Sequence, residues 1–153
     1  MIHRDLKPDN VLVVSGTSGD TAKIVDFGLA KIVDDESATS GELTTAGKVF
    51  GTPAYLSPEQ AAGKPADVAS DLYALGALLY RARSGAPPFS GTALELIAQH
   101  LHEKPAPLGG DAVDTIILQL LEKDPARRPG AEEVVRRLGE LAPHDSTIPR
   151  VGG

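Results

Sequence analysis

His3-Arg4-Asp5-Leu6-Lys7-Pro8-Asp9-Asn10 places an acid, an ammonium two residues on and a side-chain amide five residues beyond the acid in one short stretch. Pro8 stiffens it by fixing φ at about −65°. An aspartate can accept the proton of an attacking hydroxyl, a lysine can hold a transferring phosphoryl group, and an amide oxygen is a hard ligand for magnesium. Asp5, Lys7 and Asn10 therefore suit phosphoryl transfer. The plainer reading of the same residues is a polar, Asx-capped turn.

Moving outward, Asn10 to Val14 is rich in β-branched residues, and Ala22 to Val25 is a second apolar stretch. Ser15-Gly16-Thr17-Ser18-Gly19-Asp20 between them is a dense turn signal, which predicts a β-hairpin. The hairpin returns the chain to its starting turn and delivers Asp26-Phe27-Gly28. A carboxylate at a strand end, followed by a hinge-permitting glycine, suits a magnesium ion that bridges nucleotide phosphates. Lys23 reads as a solvated strand residue.

Composition sets outer limits. The 153 residues, 41% of them hydrophobic, are enough for one core of ordinary size. A net charge of −6, no basic block and 4% aromatic residues argue against nucleic acid as a partner. There are no cysteines for disulfides or thiolate metal sites. No apolar run approaches the roughly 18 residues that span a bilayer, and no signal-peptide pattern is present.

HRDLKPDN followed one hairpin later by DFG resembles the catalytic core of the eukaryotic-type (Hanks-type) serine/threonine protein kinases, in a bacterial form. The resemblance implies ATP as phosphoryl donor and magnesium as metal, with manganese able to take its place. It makes Asp5 the catalytic acceptor of the substrate proton and Lys7 the group that stabilises the transferred phosphoryl. Asn10 and Asp26 become metal and nucleotide ligands, Leu12 the floor beneath adenine, and Phe27 a core partner of His3.

Further parts follow in the family's order. Leu29 to Ser57 loses periodicity and resembles an activation loop, in which Arg4 would pair a phosphorylated Thr45 or, second, Thr44; a guanidinium binds phosphate bidentately. Gly51 to Glu59 resembles the peptide-substrate shelf and the segment that ends it, with Ser57 where the family has alanine. Thr52 would contact Asp5 and Lys7, a feature associated with serine/threonine specificity. Asp124-Pro125-Ala126-Arg127-Arg128-Pro129 resembles the family's DPxxRP turn, which implies that Arg128 pairs with Glu59. Asp71 would reach back to the backbone of the catalytic turn.

Periodicity supplies the helices. Ser57, Pro58 and Gln60 form a capping box at a helix start. Val68, Leu72, Leu75 and Leu79, with alanines on other faces, predict a helix buried nearly all round, ended by Gly85 to Phe89. Three amphipathic helices are expected on the stripes Leu94/Ile97/Ala98/Leu101, Val113/Ile116/Ile117/Leu120/Leu121 and Val134/Val135/Leu138/Leu141, the first with a Thr92–Glu95 capping box. His100 and His102 point to different sides of their helix and read as surface or boundary residues.

The expected fold is α+β and mainly α-helical: the C-terminal lobe of a kinase over residues 1–141 with a small hairpin, and a disordered tail or linker over 142–153. No Gly-rich loop, strand lysine or partner glutamate precedes the catalytic motif, so the smaller N-terminal lobe is expected to be missing, as from a truncated or internally started reading frame. The expected function is transfer of the ATP γ-phosphate to serine and threonine hydroxyls of protein substrates, with this chain alone inactive. The expected location is cytoplasmic, or the cytoplasmic part of a longer membrane kinase. Two alternatives are a noncatalytic lobe that docks partners through its uncovered surface and, weaker, a magnesium-binding structural domain.

Overall fold

Pro8–Asn10 forms one 3-10 turn that runs directly into β1 (Val11–Gly16). β2 (Gly19–Ile24) returns antiparallel in a register that pairs Val11 with Ile24 and Gly16 with Gly19. Gly19 has φ 113°, a conformation open to glycine at no steric cost, and it lets the strands reverse tightly. The computed structural model describes residues 2–17, 19–25 and 53–142. The hairpin is the β component of an otherwise helical assembly, and Leu12, Val13, Val14 and Ile24 on it are exposed.

α1 (Pro58–Ala61) begins with the expected box: Gln60 N donates to Ser57 Oγ (3.3 Å) and Ser57 N donates to Gln60 Oε1 (3.2 Å). α2 (Val68–Ser84) has a reciprocal cap between Asp67 and Ser70 and stops at Gly85, whose φ of 85° is left-handed. From Ala69 to Tyr80 no residue is exposed, so its middle is enclosed as the all-round apolar pattern predicted. α3 (Ala93–His102), α4 (Ala112–Leu120), the 3-10 turn Pro125–Arg127 and α5 (Ala131–Leu141) complete the described chain.

The core has two parts on either side of α2. Tyr55, Tyr73, Ala77, Tyr80, Ile117 and Leu121 form one; Ile116, Leu120 and Val134 form the other. α2 and α4 approach closely at Gly76, where a Cβ would stand 2.7 Å from Leu120 Cβ. The glycine is required there by contact rather than by backbone conformation.

Two expected stripes are rotated. On α3, Leu94 is 77% exposed and Ala98 is exposed, while Leu96 and His100 are the buried pair. The boundary assignment for His100 is corrected: it is fully buried, because the Tyr73 hydroxyl satisfies its Nδ1 at 2.9 Å. His102 is exposed. On α5, Val134 and Leu138 pack toward α4, while Val135 one step round the helix is 72% exposed. Of the expected tail, Ala142 is described and its N–H still bonds Leu138 O; residues 143–153 lie outside the described set.

Candidate active site

Asp5, Lys7 and Asn10 are brought together by backbone bonds within their own turn. Lys7 is the extended residue before the 3-10 turn, and Asn10 N donates to its carbonyl (3.0 Å). The buried Asn10 side chain donates from Nδ2 to Asp5 O (2.7 Å), which turns its amide oxygen the other way. Buried Leu6 pins the segment to the core between them. Lys7 Nζ lies 3.1 Å from Asp5 Oδ2, and the aspartate side chain remains 48% exposed. A solvated ion pair of this kind contributes little to stability. Its meaning is positional: an acceptor and a cation share one accessible spot.

The turn is tied to the helical body by Asp71, in the first turn of α2. His3 N donates to Asp71 Oδ2 at 2.6 Å and Arg4 N to Oδ1 at 2.9 Å. Immediately after those two bonds Arg4 takes φ 69°, the only positive φ of a non-glycine residue among the described residues. That conformation costs an L-residue about 1–2 kcal/mol and persists where its surroundings over-determine it. Gln60 Nε2 adds a long contact to Arg4 O (3.5 Å), and the Arg4 side chain stays exposed.

The His3 ring is buried, and its tautomer follows from its partners. Asp5 N donates to Nδ1 (3.3 Å), so Nε2 carries the hydrogen and donates to Val25 O (3.0 Å). His3 thus links the Asp5 turn to the end of β2, and Val25 N closes the same junction on Asn10 O (2.9 Å). Val25 immediately precedes Asp26. Asp26, Phe27, Thr44, Thr45 and Thr52 lie outside the described residues. Leu12 sits on β1 opposite Lys23 and is 52% exposed.

Glu59 and Arg128 meet as a forked pair, Nη1 to Oε1 at 2.7 Å and Nη2 to Oε2 at 2.9 Å. Ser70 Oγ also donates to Glu59 Oε1 (2.8 Å), and Arg128 further donates to the carbonyls of Ala69, Glu122 and Lys123. Burial raises the Glu59 carboxyl, but the bonds from Arg128 and Ser70 outweigh it and hold the group down at about 2. This pair clamps α1 to the Pro125–Arg127 turn, away from Asp5.

Three polar features were missed by sequence reasoning. Asp114 is fully buried on α4, accepting from Arg83 Nε (2.8 Å) and Gly110 N (2.9 Å). Burial raises its carboxyl, yet the Arg83 and backbone bonds hold it below the usual carboxylate range. Arg83 also pairs with Asp111, the N-cap of α4, and an acid at that cap with another three residues on was the available signal. Lys123 lies over the rings of Phe89 and Tyr73, and Arg81 Nη1 donates to the Tyr55 hydroxyl (2.9 Å).

Among the described residues no three His, Asp or Glu side chains group as a metal site. The donor chemistry still fits a magnesium ion, because Asn10 presents a hard oxygen fixed by the bond its amide nitrogen makes. None of the described helices is long and apolar enough to cross a membrane.

The protein kinase domain profile matches residues 1–138. Serine/threonine-protein kinase pkn2 of Myxococcus xanthus is 42% identical over 84% of this chain and 16% of its own length. Serine/threonine-protein kinase pkn3 of the same organism is 44% identical over 89% of the chain and 26% of its own. Serine/threonine-protein kinase PknA of Mycobacterium tuberculosis is 41% identical over 99% of the chain and 36% of its own. The chain thus spans between 16% and 36% of the length of these curated relatives. The polar turn that carries Asp5, Lys7 and Asn10, the clamped helical body and this sequence identity agree, and the chain belongs to the protein kinase domain family, in its bacterial, Hanks-type serine/threonine group.

Proposed function

We propose that this chain is the C-terminal lobe of a serine/threonine protein kinase that transfers the γ-phosphate of ATP to serine and threonine hydroxyls of proteins. The observation that carries this reading is the Asp5–Lys7 pair at 3.1 Å, its aspartate half exposed and its lysine partly covered, on a turn fixed by Asn10 from within and Asp71 from beneath. Asp5 orients the substrate hydroxyl and accepts its proton. Lys7, on the same side of the turn, stabilises negative charge on the phosphoryl group. Asn10 and Asp26 hold magnesium, or manganese in its place, and Leu12 underlies the adenine ring. Bound metal and nucleotide supply the reactive phosphoryl group and neutralise its charge; the protein's contribution is position and electrostatics.

Regulation and specificity follow the same assignments. Arg4, exposed beside the catalytic turn, is available to a phosphate on Thr45 or Thr44, and Thr52 with Lys7 selects serine and threonine substrates. Such an enzyme works where ATP is abundant, in the cytoplasm or on the cytoplasmic side of a membrane.

The residues of this chain include no Gly-rich phosphate loop and no strand lysine, so the 153 residues alone have little or no transferase activity. The native protein carrying this chain should incorporate label from γ-labelled ATP into seryl and threonyl residues of a generic protein substrate, and the isolated chain should not. Incorporation by the isolated chain that disappears with Asp5→Asn would overturn the second statement; an inert native protein would overturn the first.

The second reading, a noncatalytic docking lobe, is favoured by one observation. Leu12, Val13, Val14 and Ile24 leave the hairpin apolar and exposed, the kind of surface a partner covers.

A further inference from the structure

The peptide unit between Arg4 and Asp5 is held at both of its polar ends by side chains. Its N–H, on Asp5, donates to His3 Nδ1 (3.3 Å), and its C=O, on Arg4, accepts from Gln60 Nε2 (3.5 Å). Each bond is long, and neither alone would fix the plane of the peptide. They act on one planar group, whose N–H and C=O point in opposite directions, and so restrain its rotation together. Asp71 already holds the N–H of Arg4 (2.9 Å), so this residue of positive φ has its N–H tied to α2 and its C=O tied to α1. That double tie is the kind of surrounding that keeps a strained conformation in place.

The orientation of the Gln60 amide follows from its other partner. The backbone N–H of Ser57 can only donate, so the amide atom that faces it at 3.2 Å is the oxygen. Ser57 Oγ, 0% exposed as part of its residue, donates to the same oxygen (3.0 Å) while accepting from Gln60 N (3.3 Å). With Oε1 committed twice to Ser57, the NH2 end is turned toward Arg4 O. Ser57 stands where the family has alanine, and an alanine there would leave Oε1 with the backbone bond alone. The capping box of α1 therefore does more than start a helix of four residues: it aims a donor at the turn that carries Asp5.

We propose that Gln60 is a positioning residue, which through the carbonyl of Arg4 fixes the plane of the Arg4–Asp5 peptide and with it the direction in which the Asp5 side chain leaves the turn. Resting on the function proposed above, this ties the proton acceptor to the helix that directly follows the Pro53–Tyr55 turn and Ser57. Gln60 itself has no contact with the reacting atoms. Its effect is on the rate of transfer and not on the binding of peptide or nucleotide.

Two substitutions in the native full-length protein separate this role from the cap. Gln60→Glu keeps the capping box, which accepts either residue, but puts a carboxylate with no hydrogen to donate against Arg4 O. Gln60→Ala loses donor and box together, without a new charge. Thermal unfolding should be unchanged in Gln60→Glu and earlier in Gln60→Ala. Exchange of the Asp5 amide, read by site-resolved hydrogen exchange relative to the Leu120 amide in α4, should rise about two- to fivefold in both, the lower range of one net hydrogen bond. In the transferase assay both should lose about three- to tenfold in kcat with the peptide and nucleotide KM unchanged, the mark of a misplaced reacting group. An Asp5 exchange ratio unchanged in Gln60→Glu, or a rate loss confined to Gln60→Ala, would reduce Gln60 to a helix cap and overturn the inference. A rise in peptide KM at constant kcat would refute the link to Asp5. A wild-type protein without transferase activity would sink the functional reading and leave the exchange ratios to decide this one.

Discussion

Asp71 anchors the backbone that enters Arg4: its carboxylate accepts the N–H groups of His3 and of Arg4, immediately before the bond about which Arg4 takes φ 69°. A helix residue 67 positions along the chain thereby determines the local geometry of the turn that carries Asp5. The arrangement depends on both carboxylate oxygens acting as acceptors.

Asp71→Asn replaces one acceptor by an NH2 that faces a backbone N–H. The unpaired donor should lower stability by about 1–3 kcal/mol, read as a shift in the urea midpoint. A loss below about 0.5 kcal/mol would show that the turn holds its shape without this anchor.

Glu59→Gln leaves the Arg128 guanidinium, whose side chain is 0% exposed, without its counter-charge. Removing one member of a buried pair costs about 3–5 kcal/mol, so thermal unfolding should move far more than for an exposed pair such as Arg136–Glu140. Arg128→Lys should also destabilise, because an ammonium cannot reproduce the fork and the three carbonyl bonds together. Equal, small effects at both pairs would contradict the clamp.

Acid should weaken the fold in a defined window. Burial, then the Lys123 charge, lowers His100 from 6.5 to about 4, so between those values the unfolded chain binds a proton that the folded chain refuses. Stability therefore falls as pH drops from 6.5 toward about 4, by at most about 3 kcal/mol from this residue, and levels off below. Glu59, depressed from 4.5 to about 2, adds a second loss at lower pH as its carboxylate is protonated. Urea titrations across the window should show the upper slope in the wild type and a much shallower one in His100→Gln. The same slope in both would assign the acid sensitivity elsewhere.

Much of this arrangement could be read from residue order. The hairpin follows from β-branched runs around Ser15 to Asp20, and the caps at Ser57 and Thr92 from local side-chain chemistry that tertiary packing does not alter. The buried face of α3 was not legible, because periodicity counts histidine as polar. His100 is buried by virtue of a hydroxyl 27 residues away, while Leu94, apolar by letter, is left outside. Lys123 and Asp114 escaped for the same reason: their partners come from other helices, and pair chemistry across elements leaves no period in the sequence. Asp71 was legible because an acid among apolar neighbours needs partners, and the backbone N–H groups of His3 and Arg4 supply them.

The most direct test of the central claim is the single-turnover rate of phosphoryl transfer from ATP to a serine peptide by the native protein, compared with its Asp5→Asn variant at matched nucleotide occupancy. Loss of a positioned proton acceptor should slow the transfer by about 10²–10⁴-fold while nucleotide affinity stays nearly constant. A variant that transfers within about twofold of the wild-type rate would contradict the role of Asp5 and, with it, the catalytic reading of the turn.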